Sequence, residues 1–193
     1  AMYNVAVGDS AGQAVTTGVQ NIVIGGLAGD ALTTGSQNVV VGYQALSTDD
    51  LGSHNVAIGA NALSDMNFAS STDSYNIAVG SSAGLRVTTG VQNTLIGGLC
   101  GDALTTGFSN TALGHFALST DTLGRTSTAI GHSALKVQNL SGINSLNLAV
   151  GYEAGVAVTS GITNTLIGAT AGILVNTGHS NKFLGYGAGG NVT

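Results

Sequence analysis

Asn21-Ile22-Val23-Ile24-Gly25-Gly26-Leu27-Ala28-Gly29-Asp30-Ala31-Leu32-Thr33-Thr34-Gly35-Ser36-Gln37 is one period of this chain, and Asn38 opens the next. The asparagine stands at Asn4, Asn21, Asn38, Asn55, Asn76, Asn93, Asn110, Asn147, Asn164 and Asn181, with Ser127 in the one exceptional slot. The step is 17 residues, except for 21 after Asn55 and 20 after Ser127. A fixed period this short makes each repeat one coil of a solenoid, whose neighbours complete its core. The reading is all-β: a single parallel β-solenoid over residues 1–193, of about eleven 17-residue coils starting near 4, 21, 38, 55, 76, 93, 110, 127, 147, 164 and 181.

Numbered from the asparagine, the repeat reads N-x-[AVLF]-[VIL]-G-x-x-[AC]-[GL]-x-x-x-x-x-G-x-x. A short apolar run ending in glycine suits a strand and is too short for a helix. Position four is branched and apolar in every coil, from Val7 to Leu184, and is expected to point into the solenoid. Position three would then point outward, because strand side chains alternate. It is apolar too, so an outer stripe that includes Val23, Val40, Leu95, Leu166 and Phe183 is expected to form an interface between identical chains. Position five is glycine in every coil, and glycine recurs at position fifteen, from Gly18 to Gly178, as expected of corners. Stacked corner asparagines can hydrogen-bond from coil to coil.

A longer order overlies this one. Gly25 to Gly35 returns as Gly97 to Gly107 with only Cys100 changed, so four coils form a larger unit. The fourth coil of each unit carries an insertion, near 65–75 and 136–146. These loops are where receptor contact is expected, with Phe68, Tyr75 and Lys136 as candidates, because exposed loops and aromatic groups carry recognition.

Composition narrows the function classes. Charged residues are 7% of the chain, against about 25% in ordinary domains. The only cations besides histidine are Arg86, Arg125, Lys136 and Lys182, and the net charge is −5. Nucleic acid is disfavoured, since its binding needs clustered Lys and Arg. No apolar run approaches the length of a membrane span, so no membrane insertion is expected. Cys100 is the only cysteine and occupies a slot that is alanine in the other ten coils, so it reads as a small buried residue.

No constellation for catalysis appears, and neither an enzyme nor a cofactor is expected. His115 and His132 share position six in adjacent coils, with no acid or cysteine on that stripe except Glu153 and Asp9 in other coils; a surface pair is expected rather than a metal site. Asp49, Asp50 and Asp121 are expected in loops. Thr16-Thr17, Thr33-Thr34, Thr88-Thr89 and Thr105-Thr106 form threonine ranks that would suit ice binding, though Asp50-Leu51 and Thr122-Leu123 interrupt them.

Two families share these motifs. Asn55-Val56-Ala57-Ile58-Gly59-Ala60-Asn61-Ala62 and Ser127-Thr128-Ala129-Ile130-Gly131-His132-Ser133-Ala134 resemble the N-x-V-A-I-G-x-x-[SA] motif of trimeric autotransporter adhesin heads. Those heads are left-handed β-rolls with a shorter repeat, assembled as trimers on bacterial surfaces. From Asn4 to Gly190 the chain is more similar to the N-[TV]-A-[IV]-G-x-x-A-[GL]-x-x-x-T-T-G-x-x-N arrays of phage tail fibres. The resemblance implies a left-handed, homotrimeric fibre segment, extracellular on a virion. A host or cell-surface glycan or protein would be its receptor. The alternative it implies is a bacterial cell-surface adhesin head, and an ice-binding solenoid stands apart from both.

Overall fold

The computed structural model describes residues 2–191. It contains β1 (Val5–Val7), β2 (Ile22–Ile24), β3 (Val39–Val41), β4 (Gly52–Ser53), β5 (Val56–Ile58), β6 (Thr72–Asp73), β7 (Ile77–Val79), β8 (Thr94–Ile96), β9 (Thr111–Leu113), β10 (Thr128–Ile130), β11 (Leu148–Val150), β12 (Thr165–Ile167) and β13 (Lys182–Leu184). Eleven of these stack as one parallel sheet, one strand from each coil, in the order β1-β2-β3-β5-β7-β8-β9-β10-β11-β12-β13. The register follows the repeat: Val5 faces Ile22, and Ile22 faces Val39. At about 4.8 Å per strand step, the solenoid is on the order of 50 Å long. The insertions do not stand away from it. The first folds back so that β6 pairs with β4, and in the second Asn144 bridges to Arg125.

The side-chain alternation is the reverse of the sequence expectation. Position three points inward: Val40, Ala57, Ala78, Leu95, Ala112, Ala129, Ala149 and Leu166 are fully buried within the single chain, and Val23 nearly so. Positions two and four point outward, as Ile22, Ile24, Ile58, Ile77 and Leu113 do. Val23, Val40, Leu95 and Leu166 are therefore core residues rather than interface residues, and Phe183 packs on the core in the last coil. The reason is volume. The coil encloses little space, and position three shares it with position nine. Leu95, Leu166 and Phe183 occur where position nine is Gly101, Gly172 or Gly189, while Leu63, Leu118 and Leu135 occur where position three is alanine. A Cβ on Gly101 would lie 2.7 Å from Leu95 Cδ2, and one on Gly172 would lie 2.8 Å from Leu166 Cδ2. Coil three accommodates Val40 together with Leu46, but no coil carries leucine or phenylalanine at position three with leucine at position nine, a pair that would overpack it.

Corner asparagines bind the coils together. Asn21 Nδ2 donates to Gly35 O of its own coil (2.9 Å), while Asn21 Oδ1 accepts from the Asn38 backbone N–H of the next (3.0 Å). Asn93 repeats this with Gly107 and Asn110. Both asparagines are fully buried, so each bond satisfies a polar group that water cannot reach.

Ser127 breaks this ladder; Ser145 Oγ accepts the Asn147 backbone N–H in its place (3.3 Å), and Gln138 links the Ser127 and Asn147 side chains. Gln138 Nε2 donates to Ser127 Oγ (2.7 Å), and Gln138 Oε1 accepts from Asn147 Nδ2 (2.7 Å). Ser145 Oγ lies 2.5 Å from Ser127 Oγ.

Position five is glycine for two reasons. Gly97 has φ +132°, which L side chains rarely adopt, and a Cβ there would stand 2.6 Å from the Gly114 carbonyl of the next coil.

Candidate functional site

Strand alternation places two rows of side chains on the outer sheet face. The position-four row runs Val7, Ile24, Val41, Ile58, Val79, Ile96, Leu113, Ile130, Val150, Ile167 and Leu184. The position-two row is Val5, Ile22, Val39, Val56 and Ile77 in the first five coils; Thr94, Thr111, Thr128 and Thr165 dominate the rest. Lys182 is the only charge in either row. These side chains are partly or largely exposed, so the face is a long apolar strip uncovered by its own chain. The sequence reading missed it because apolar residues on both sides of the strand erase the polar alternation. The inverse sizes at positions three and nine were the signal that could have placed position three inside.

The candidate loop residues separate. Phe68 is buried, and its backbone N–H donates to Asp49 Oδ1 (3.4 Å), so it anchors the insertion and is withdrawn as a receptor contact. Tyr75 is half exposed and stacks on His54, with ring centroids 4.8 Å apart. His54 Nδ1 lies 3.1 Å from Asp73 Oδ1. Lys136 is half-buried and holds its Nζ 4.8 Å from the Phe116 ring centroid. It therefore belongs to a different surface from Tyr75.

That second surface is a corner. Position six carries His115, His132 and Tyr152 in three successive coils; Glu153 lies one position further along, so the stripe continues with a tyrosine and not an acid. His115 and His132 have centroids 5.6 Å apart, and His132 and Tyr152 5.4 Å apart with planes inclined by 13°. Phe116, which sequence reasoning passed over, sits 4.0 Å from His115 by ring centroids. Its signal was being the one aromatic residue at position seven, directly after a histidine.

Asp49 and Asp121 lie in loops, as expected, but their side chains turn into the solenoid and both are fully buried. Asp121 accepts from the Gly124 and Leu140 N–H groups and from Gln138 Nε2. Asp49 Oδ1 accepts from Leu51 and Phe68 N–H, while its Oδ2 has no partner. Burial raises both carboxyls above the ordinary 3.8. They are enclosed by their coils and stand apart from any base, so they have the environment of structural groups.

Burial likewise pushes the Cys100 thiol up to about 12, which leaves it a poor nucleophile. The hydroxyls of Thr16, Thr33, Thr88 and Thr105 donate to backbone carbonyls of the following coil, so that rank stitches coils together. Among the described residues no ligand-sized cavity occurs, nor any group of three His, Cys, Asp or Glu able to hold a metal ion. Among the described residues no helix is long and apolar enough to cross a membrane. Comparison with protein-family models, curated proteins and solved structures finds no match.

Proposed function

We propose that this chain is a structural and adhesive segment of a phage tail fibre, assembled as a homotrimer and carried extracellularly on the virion to contact a host surface. The observation that carries the reading is the apolar strip at positions two and four. Contiguous exposed apolar surface of this extent marks a contact with another macromolecule. A second copy is the natural cover, because a straight row of branched side chains at constant spacing matches another such row along its whole length. Three-fold symmetry is carried over from the resemblance; the sheet face supplies the contact. The position-three residues hold each coil together.

Absolute mass by light scattering tests this. The expected mass is three times the 18.9 kDa chain. Ile96→Asp places a charge in the middle of the strip and is expected to release monomers with an unchanged far-ultraviolet spectrum. A clean wild-type monomer refutes the assembly.

A bacterial adhesin head would use the same contact, and flanking sequence separates the two: a chaperone domain goes with a tail fibre, an outer-membrane anchor with an adhesin. Ice binding is favoured by one observation. Thr94, Thr111 and Thr128 align in register beside Ile96, Leu113 and Ile130, a flat rank of hydroxyls and methyls. Thermal hysteresis in a monomeric preparation would put that reading first.

A further inference from the structure

The corner at coils seven to nine carries rings that the fold does not require. Position six is Gly26, Ala60, Gly98 and Ala169 in other coils of the same geometry, so a small residue suffices there. His115, Phe116, His132 and Tyr152 nevertheless gather in three successive coils, with Tyr152 53% exposed. Lys136 holds its ammonium over Phe116, and Glu153 follows Tyr152, so one cation and one anion flank the rings. We infer that this corner is a binding site for an extended pyranose oligosaccharide, lying along the solenoid with one sugar per coil.

Three features select that ligand class. The rings of successive coils are 5.6 and 5.4 Å apart, close to the length of one pyranose in an extended chain. An extended peptide advances about 3.3 Å per residue and falls out of step with them. The chemistry joins aromatic surface to hydrogen-bonding groups, the imidazoles and the Tyr152 hydroxyl, which suits the apolar faces and hydroxyl edges of sugars. A phosphate-rich ligand would call for a cluster of cations, and Lys136 stands alone. The surface is open, with no cavity among the described residues, so it fits a chain laid across it rather than an enclosed small molecule.

The site deepens the fibre reading and rests on it for its biological setting. Its test uses the whole chain with cellohexaose, chitohexaose and maltohexaose as probes, read by saturation-transfer NMR, alongside light scattering of the same samples. At least one hexaose is expected to bind, more tightly than its disaccharide. Tyr152→Ala and His132→Ala, substitutions that place in this row the residue of Ala60 and Ala169, are each expected to weaken binding roughly tenfold. Tyr43→Ala, in the same row but away from the cluster, is expected to leave it unchanged.

The inference is overturned if no hexaose binds at millimolar concentration, or if both corner substitutions leave binding intact. It is also overturned if either changes the mass, since the rings would then belong to a contact between copies. A trimer that binds no hexaose removes the saccharide site alone; a monomer that binds one removes the assembly alone.

Discussion

Gln138 linking the side chains around a missing asparagine predicts a strong coupling that can be measured. In coil four the corresponding pair is Asn55 and Met66; in coil eight it is Ser127 and Gln138. Gln138→Met alone removes the donor to Asp121 Oδ2 (2.7 Å), the donor to Ser127 Oγ and the acceptor for Asn147 Nδ2. One charge-assisted and two neutral buried bonds together are worth about 3–5 kcal/mol. Ser127→Asn alone forces a larger side chain into space that the Gln138 amide fills, at about 1–3 kcal/mol. The double variant recreates the coil-four pair. Its remaining cost is an Asp121 oxygen left without a partner, as Asp49 Oδ2 already is, or about 1–3 kcal/mol. The two changes should therefore couple favourably by about 2 kcal/mol or more. Urea unfolding of all four proteins, followed by circular dichroism at one chain concentration, measures the cycle. Additivity within about 0.5 kcal/mol would refute the link that Gln138 makes where the ladder asparagine is missing.

Three further outcomes are expected. Gly97→Ala should cost about 3 kcal/mol or more, because it combines a disallowed φ with a Cβ 2.6 Å from backbone, whereas Gly26→Ala, whose Cβ would meet only Tyr43 Cδ2 at 3.7 Å, should be nearly silent in thermal unfolding. Burial raises the folded-state pKa of Asp49 and Asp121 above 3.8, so the folded chain binds these protons more tightly than the unfolded one. Their contribution is fully present below the unfolded value and is lost as pH rises through the raised folded values. Urea midpoints should accordingly be higher at pH about 3.5 than at pH about 7, and Asp49→Asn should narrow the gap; a midpoint that climbs with pH contradicts this. Native Cys100 should resist iodoacetamide until the chain unfolds, and Cys100→Ala should fold normally because ten coils carry alanine there; rapid labelling of the native protein would show that position eight is not core.

The architecture was legible because solenoid geometry is periodic, so any residue tied to coil-to-coil contact must recur at that period. Asn21, Gly25 and Ala28 do, and their roles follow from the repeat. The direction of the strand faces was not legible from hydropathy. Val23 and Ile24 are equally apolar, and only the inverse volumes of Leu95 and Gly101, or of Ala57 and Leu63, distinguish inside from outside. Asp49 and Phe68 were misplaced for another reason. A carboxylate and an aromatic group at an irregular corner read as exposed, but the insertion encloses one with the backbone N–H of the other. Coil geometry, unlike periodicity, is not written in single positions.

This division constrains where recognition can lie. Positions one, five and eight are occupied by coil-to-coil hydrogen bonding, core volume and close backbone approach and tolerate almost no variation along the chain, while position three varies only in size among apolar residues. Position six is free: it accepts aspartate, glycine, alanine, serine, histidine and tyrosine in coils of the same geometry. Variation that costs the fold nothing is the only place where a solenoid can carry specificity without losing its stack. The ring cluster at His115, His132 and Tyr152 lies in such a row, whereas the uniformly branched position four, though also outside, does not vary in chemistry. Uniformity suits a contact repeated identically along a second copy; local variation suits a ligand met at one place. The two outer surfaces are therefore proposed to serve different partners, and a variant of one should leave the other's readout unchanged.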